Sequence, residues 1–143
     1  MDQSFHYLIM INQALFQKKA LKNLMEIELT PGQPKVLDFL FLHDGSMQKD
    51  IAYGCQIEPA TLTGILAHME DNGLVERHMK NGNRRSSYVY LTDDGREKAI
   101  KVIQIFGELE EVVFKGIDKK DREQFIKIFY QICYNMTETE GLQ

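Results

Sequence analysis

The sequence predicts a mainly α-helical protein that carries one small β-hairpin. Apolar residues recur three and four positions apart, the spacing of a helix, in six separate segments. Between the fourth and fifth of these segments lies Asn81-Gly82, flanked by two short stretches of strand-like residues. Asn-Gly is a strong hairpin signal because both residues tolerate a positive φ. A length of 143 residues with only three prolines fits one domain with a modest core.

The segment from Glu58 to Asn72 is predicted to form a single helix with two different faces. One face is an apolar stripe at positions i, i+3, i+4 and i+7, formed by Leu62, Ile65, Leu66 and Met69. Gly73 follows, at the position where a left-handed residue commonly ends a helix. The opposite face is small or polar and consists of Ala60, Thr61, Thr63, Gly64, Ala67 and His68. Such a face usually meets only water, but it also suits a helix that lies close against a grooved partner.

The predicted hairpin concentrates the positive charge of the chain. Its first strand begins at residues 74–75, and its second, residues 88–91, alternates between inward aliphatic and outward aromatic side chains. Residues 77–85 contain no acid and hold four cations, Arg77, Lys80, Arg84 and Arg85. Their formal charge is +4, whereas the whole chain is −4 and the remaining residues sum to −8. This concentration indicates localised contact with a polyanion, although a solvated hairpin tip can also be basic.

Two runs of sequence resemble a known family. Residues 69–77, MEDNGLVER, and residues 83–95, NRRSSYVYLTDDG, are similar to the end of the recognition helix and the wing of the MarR family of bacterial transcriptional regulators. The spacing from the paired arginines to Leu91-Thr92 and Gly95 also fits that family. In pattern, though not in strict motif, the resemblance extends over nearly the whole chain.

The resemblance implies a winged helix-turn-helix domain with N- and C-terminal dimerisation helices. A single MarR-type domain would cover residues 1–143, with dimerisation helices in residues 1–30 and 96–143 and a DNA-binding lobe in residues 31–95. The expected partners are a pseudo-palindromic operator in double-stranded DNA and a second copy of the chain. The expected function is sequence-specific transcriptional regulation, by a homodimeric repressor that responds to a ligand.

The terminal helices have the apolar character that dimerisation requires. The first helix is expected to run from the cap residue Ser4 to about Leu24, and it is apolar nearly all round, which calls for cover on more than one side. Thr92 is expected to cap a fifth helix that reaches about Lys115, and Asp118 a sixth. A single-chain core would produce similar stripes, so the expected dimer depends on the resemblance.

The second, third and fourth helices form the DNA-binding lobe. Thr30 is expected to cap the second helix, with Pro31 as its first residue and its end near His43. A short third helix would open at residues 46–47. Together with the turn that follows it and the helix at residues 58–72, it forms a helix-turn-helix.

The resemblance implies DNA contacts from the recognition helix, residues 58–72, and the wing, residues 76–90. The helix would present its small face to a major groove about 12 Å wide. Its base-facing candidates are Ala60, Thr61, Thr63, Gly64 and His68. The wing candidates are Arg77, Lys80, Arg84 and Arg85. Arg84 and Arg85 would enter the minor groove, where narrow A·T-rich DNA concentrates negative potential. Arg77 would either contact phosphate or pair with acids in its own lobe.

Two residues depart from the family pattern. Many members carry an arginine where this chain has Gly64, and an arginine can bind guanine through two hydrogen bonds whereas glycine cannot. We therefore expect sequence specificity to depend on Thr61, Thr63, His68 and the shape of the DNA. Asn83 replaces the aspartate that precedes the paired arginines, which removes a charged hydrogen bond from the wing.

No other function class has a comparable pattern. The four histidines lack metal-ligand spacing, and the sequence has neither a phosphate-binding glycine loop nor a nucleophile elbow, so no metal, cofactor or enzymatic activity is expected. Cys133 is expected to be a small core residue and Cys55 to be accessible, with little support for redox sensing. The N-terminus lacks a signal-peptide pattern and no apolar run approaches the ~20 residues of a membrane span, so a cytoplasmic protein is expected.

Two alternatives stay open at this level. The resemblance implies a small aromatic effector between the DNA-binding and dimerisation lobes, with candidate lining residues Tyr7, Met10, Phe39, His43 and Phe106. Each is explained equally well as core, so no ligand-binding residue is assigned. The alternative function is a winged-helix protein-interaction module with weak or no specific DNA binding. Gly64 and the acidic net charge would tolerate that function, whereas the basic hairpin favours DNA.

Overall fold

A computed structural model describes residues 2–80 and 83–138; the side chains of residues 80, 83–86 and 138 are outside the description. The predicted turn at residues 81–82 therefore lies outside the described residues. The chain divides between Gly107 and Glu108 into two compact units.

The expected fold class, mainly helical with a small antiparallel sheet, is confirmed. The elements in chain order are α1 (Phe5–Glu26), α2 (Gln33–Leu42), β1 (Ser46–Met47), α3 (Gln48–Cys55), α4 (Pro59–Asp71), β2 (Val75–Lys80), β3 (Asn83–Leu91), α5 (Asp93–Val113) and α6 (Lys119–Glu138). The first unit holds α1 to β3 and most of α5, and the second holds the end of α5 and α6.

The core of the first unit lies beneath α4. The predicted apolar stripe of α4 is buried, with Leu62, Leu66 and Met69 fully inaccessible to solvent and Ile65 partly exposed. The other fully buried aliphatic residues described between positions 31 and 95 are Val36, Leu37 and Leu40 of α2, Ile51 of α3 and Val89 of β3. Because the core takes up one face of α4, the opposite face is left at the surface.

The sheet has three strands, in the order β1-β3-β2, rather than the two of the predicted hairpin. Ser46 pairs with Val89 and Met47 with Tyr88, both antiparallel, and the Gly45 amide donates to the Val89 carbonyl at 2.9 Å. Of the two residues expected to open the third helix, Met47 is its N-cap; α3 itself begins at Gln48, and Ser46 and Met47 also form β1, which was not predicted. A strand of two residues has no alternating pattern from which it could be predicted.

The predicted start of α2 was also wrong. Gly32, with φ 90°, is the N-cap, and the helix begins at Gln33 with Pro34 in its first turn. The side chain of Gln33 is buried, and its Oε1 accepts the backbone N–H of Thr30 at 3.2 Å. The backbone N–H of Thr30 therefore donates to a side chain of the helix, and the Thr30 side chain does not cap the helix.

A backbone junction joins α4, β2 and α5. Gly73 has φ 73°, as predicted for a left-handed cap, and the Leu74 amide donates to the Met69 carbonyl at 2.8 Å. Thr92 confirms its predicted role as the cap of α5, since its Oγ1 accepts the Gly95 amide at 3.0 Å. The same hydroxyl donates to the Gly73 carbonyl at 2.6 Å, and the Thr92 amide donates to the Leu74 carbonyl at 3.1 Å.

The second unit contains the end of α5 and the whole of α6. Gly116, with φ 81°, follows α5, and Asp118 caps α6 as predicted, its Oδ1 accepting the Asp121 amide at 2.8 Å. The guanidinium of Arg122 lies over the Phe114 ring, 4.5 Å from its centroid. Many large apolar side chains of this unit are exposed, including Val112, Ile117, Phe125, Ile126, Ile128, Tyr130, Tyr134 and Met136.

Replacing Gly95 by alanine is expected to destabilise the first unit. A Cβ at this position would lie 1.8 Å from the Leu74 carbonyl oxygen, a backbone atom that cannot rotate away. Gly95→Ala should lower the free energy of unfolding by at least about 1–3 kcal/mol, measured by urea denaturation. Gly107→Ala in the same helix is the control. A Cβ at this position would meet no atom of the described residues within 4 Å, apart from its chain neighbours and its own helix backbone. The free energy of unfolding is therefore expected to rise by up to about 1 kcal/mol. Unchanged stability of Gly95→Ala would contradict the close contact.

Candidate nucleic-acid interface

The exposed face of α4 contains every base-facing candidate named from the sequence. Ala60, Thr61, Thr63, Gly64 and His68 are all solvent-exposed. They lie opposite the buried stripe, so the predicted division of this helix into two faces is confirmed. These five residues contribute only a methyl group, two threonine side chains and one imidazole, so this part of the helix can approach a grooved surface closely, while the acids Glu70 and Asp71 are exposed at the end of α4.

Gly64 is not required by the fold. Its φ lies outside the left-handed region. Apart from its chain neighbours and its own helix backbone, a Cβ built on it would meet no atom of the described residues within 4 Å. The glycine therefore leaves space on the exposed face of α4 that larger side chains could occupy.

Arg77 lies between the wing and the helix-turn-helix, with only 14% of its side chain exposed. Its Nη1 donates to Gln48 Oε1 at 3.4 Å, and its Nε lies 3.8 Å from Glu70 Oε2. The second distance exceeds that of a hydrogen bond, and this buried Nε has no such partner among the described residues. Arg77 thus connects β2 with α3 and α4. Of the two roles expected for it, phosphate contact or pairing within its own lobe, the contacts fit the second.

Sequence analysis did not identify Gln48 as a site residue. Its Nε2 donates to Thr63 Oγ1 at 2.8 Å, and the Thr63 hydroxyl donates to the Pro59 carbonyl at 3.0 Å. Gln48 is the first residue of α3, which places its side chain beside the start of α4. Its partners are 15 and 29 residues away in the chain, so no local pattern could have revealed the role.

The wing consists of β2 and β3, and its inner face is packed. Val89 and Leu91 are buried, Tyr90 is exposed and Tyr88 is intermediate, which confirms the predicted alternation. His78 packs edge-on against Tyr90, with ring centroids 4.9 Å apart. The side chains of Lys80, Arg84 and Arg85 are outside the described residues, although Arg84 and Arg85 belong to β3.

Asp44 fixes the base of the wing. Its Oδ1 accepts the Leu91 amide at 2.8 Å, and its Oδ2 forms an ion pair with Arg96 Nη2 at 3.2 Å. The guanidinium of Arg96 lies 5.7 Å from the centroid of the Phe41 ring. One carboxylate therefore holds the end of β3 and the start of α5 beside the end of α2.

Both expectations for the cysteines were wrong. Cys55 is buried, 3% exposed, and its Sγ lies 3.6 Å from the Lys35 carbonyl. The pKa of the Cys55 thiol is raised to about 11, mainly by burial, while the charge of Lys35 lowers it and that of Asp38 raises it. Cys133, expected in the core, is exposed on α6. The apolar stripe of α6 is itself largely exposed, so a position beside it does not imply burial.

Three of the five candidate effector residues, Phe39, His43 and Phe106, take part in two separate aromatic contacts. Phe106 stacks on Phe16 with centroids 5.7 Å apart, while Phe39 packs on His43 at 4.7 Å and covers Gly54. Among residues 2–80 and 83–138, no group of three or more histidines, cysteines or acids is placed to hold a metal ion. In the same part of the chain, none of the helices has the length and apolar character needed to cross a membrane.

The two cysteines are expected to differ in reactivity toward a thiol reagent. At neutral pH Cys133 should react in the folded protein, whereas Cys55 should stay protected because it is buried and its pKa of about 11 leaves almost no thiolate. Counting reactive thiols with a chromogenic disulfide should give one in buffer and two in denaturant. A Cys133→Ser variant should show no fast reaction, and rapid modification of that variant at neutral pH would contradict the burial of Cys55.

The comparisons with known proteins agree with the geometry. A family model described as the MarR family matches residues 29–87, which extend from the loop before α2 into β3. The transcriptional regulator HosA of Escherichia coli O157:H7 is 27% identical over 128 residues, covering 89% of this chain and 92% of HosA. The organic hydroperoxide resistance transcriptional regulator of Bacillus subtilis (strain 168) is 26% identical over an alignment of 148 residues that covers 97% of each chain.

Solved structures show the same fold. The crystal structure of the S. aureus MepR-DNA complex superimposes with a TM-score of 0.80 at 23% identity and covers 93% of this chain and 96% of that one. The relatives are transcriptional regulators and not enzymes, in agreement with the sequence prediction. The chain is therefore similar to the MarR family over residues 29–87, to transcriptional regulators over most of its length, and to winged helix-turn-helix proteins in its fold.

Proposed function

We propose that the protein is a homodimeric, sequence-specific DNA-binding repressor that responds to a small-molecule ligand. Its recognition helix, residues 58–72, occupies the major groove and its wing, residues 76–90, the minor groove. The observation that carries this proposal is the exposed, small face of α4 beside a hairpin segment of charge +4 in a chain of net charge −4.

The major-groove role of α4 is supported by its shape and by the way it is held. Buried Leu62 and Leu66 fix one side of the helix, so the exposed side has a defined orientation. Thr61 and His68 offer polar groups on the exposed face, seven residues and therefore about two turns apart. Without an arginine at Gly64, we propose that recognition depends on these short side chains and on DNA shape.

The role of the wing is supported by charge. Lys80, Arg84 and Arg85 are the cations that we assign to DNA, with Arg84 and Arg85 in the minor groove. The remaining residues of the chain are net acidic, so DNA is attracted to the wing and repelled elsewhere. Arg77 is assigned a scaffold role, because its guanidinium lies mostly buried beside Gln48 and Glu70.

Dimerisation is supported by apolar exposure in both terminal helices. On α1 the exposed large apolar residues are Phe5, Leu8, Met10, Leu15, Leu21 and Met25. On α6, Phe125, Ile126, Ile128, Tyr130, Tyr134 and Met136 are at least half exposed. Monomeric proteins rarely leave this much apolar surface in contact with water. A second copy of the chain, packed through residues 1–30 and 96–143, would cover it, and residues 31–95 would form each DNA-binding lobe of the 1–143 domain.

The effector and the place of action complete the proposal. A small aromatic compound is the expected effector class from the family resemblance, and its binding would change affinity for the operator. No residue is assigned to its site. As a regulator of bacterial transcription the protein would act in the cytoplasm.

Selection from a randomised duplex pool tests the DNA-binding function. The purified protein is expected to enrich a pseudo-palindrome whose half-site centres lie about one helical turn apart. Affinity for that duplex should fall steeply with salt, because cations of the wing displace counterions from phosphates. The double substitution Arg84→Ala with Arg85→Ala should weaken binding at least about tenfold and lower the salt slope.

The matched control removes two cations elsewhere. Lys119→Ala with Lys120→Ala makes the same change in net charge on exposed residues at the start of α6 and should leave operator binding within about twofold. Strongly preferred guanines throughout the half-sites would contradict the assignment of Thr61, Thr63 and His68. If no sequence is enriched and DNA binding is only weak, the repressor proposal fails and a protein-interaction module is favoured.

Sedimentation velocity tests the dimer. Ile128→Glu places a charge on the apolar face of α6 and should weaken dimerisation at least about tenfold, because a two-fold interface contains the change twice. Leu42→Glu is the control, since Leu42 is even more exposed, 77% against 50% for Ile128, but lies outside the proposed dimerisation helices. A monomeric unmodified protein at micromolar concentration would overturn the proposed assembly.

A further inference from the structure

Gln48 connects two of the residues named as DNA-binding candidates from the sequence. Its Nε2 donates to Thr63 Oγ1 at 2.8 Å, and its Oε1 accepts from Arg77 Nη1 at 3.4 Å. The first distance is that of a strong hydrogen bond and the second is at the long limit. The Gln48–Thr63 contact is therefore the stronger of the two, and it lies on the recognition helix.

The direction of these hydrogen bonds is determined by chemistry. A guanidinium has only donors, so the amide atom of Gln48 that faces Arg77 must be the oxygen. The amide NH₂ group then faces Thr63, whose hydroxyl oxygen has to accept. The hydroxyl hydrogen of Thr63 is directed to the Pro59 carbonyl at 3.0 Å. Donation thus runs in one direction from Arg77 to Pro59 and leaves Thr63 without a hydrogen for another partner.

This arrangement limits what Thr63 can recognise. Its exposed side retains an acceptor lone pair and a methyl group. In the major groove, adenine and cytosine present amine donors and thymine presents a methyl group, whereas guanine presents only acceptors. Held in this way, Thr63 can bind or contact the first three bases but cannot form a hydrogen bond with guanine.

We propose that Gln48 is a specificity-determining positioning residue. By donating to Thr63 it keeps that hydroxyl an acceptor, so the recognition helix disfavours guanine at the base that Thr63 faces. The inference rests on the proposed function. Without the amide donor, only the Pro59 carbonyl still directs the Thr63 hydroxyl. The hydroxyl can then rotate and donate to guanine more readily, so discrimination at that base is weakened.

The experiment compares duplex selection by the unmodified full-length protein with selection by Gln48→Met, Thr63→Val and the double variant. Gln48→Met should lose about three- to tenfold of its discrimination against guanine at one position in each half-site. Its salt slope should stay unchanged, because no phosphate contact is removed. In the Thr63→Val background, Gln48→Met should have no further effect, since the hydroxyl on which it acts is gone.

Gln131→Met serves as the control. Gln131 is an exposed glutamine of α6 with a 2.8 Å bond to Asn135, so the substitution removes a comparable amide contact without touching α3 or α4. It should select the same motif as the unmodified protein. If Gln48→Met does not fold, Gln48→Glu replaces it, because a carboxylate can accept from Arg77 but cannot donate to Thr63. The added negative charge of Gln48→Glu would lower the affinity for all DNA sequences alike. The preference among bases at the position facing Thr63 would then still report on the lost hydrogen bond.

Two results would overturn this inference without affecting the proposed function. One is a Gln48→Met motif identical to that of the unmodified protein at every position. The other is an equal change of preference when Gln48→Met is introduced into Thr63→Val, which would place its action elsewhere. If the unmodified protein enriches no sequence, the proposed function fails, and this inference fails with it.

Discussion

The recognition helix, the wing and α5 meet at the carbonyl groups of Gly73 and Leu74. Thr92 binds both carbonyls, through its hydroxyl at 2.6 Å and its amide at 3.1 Å, and Gly95 packs directly against the second. These are contacts to the backbone, so the angles at which the three elements leave the junction depend little on side-chain rotamers. The exposed face of α4 and the two strands of the wing are thereby held at a fixed separation, which two adjacent grooves of one duplex require.

Side chains reinforce this junction from two directions. Asp44 binds the end of β3 and pairs with Arg96, which ties the wing base to α2 and α5. On the other side, Arg77 and Gln48 connect β2 with the starts of α3 and α4. Each exposed ion pair contributes little to the free energy of unfolding. These groups therefore act more by fixing the orientation of the elements than by stabilising the fold. Polar contacts around the wing are directional, and they restrict the orientation of a surface that has few large side chains of its own.

The features predicted correctly from the sequence are those determined within a few residues of chain. The two faces of α4, the left-handed Gly73 and the Thr92 cap each follow from local spacing or from one residue type. The errors involve partners that are distant in sequence. Strand β1 exists only because Ser46 pairs with Val89, and Thr30 does not cap α2 because the helix begins later, with Gly32 as its N-cap. In the site, residue exposure was predictable from helical periodicity, whereas the link through Gln48 was not.

The unoccupied space at Gly64 affects how such a protein could diverge. A Cβ built on Gly64 meets no neighbouring element within 4 Å among the described residues, and removing a mid-helix glycine generally strengthens the helix. A single codon change could therefore introduce a new base-reading group into α4 without a compensating change elsewhere. Under the proposed function, a substitution at this position would change which DNA sequences the protein binds and leave its architecture intact, so two relatives that differ there would control different genes.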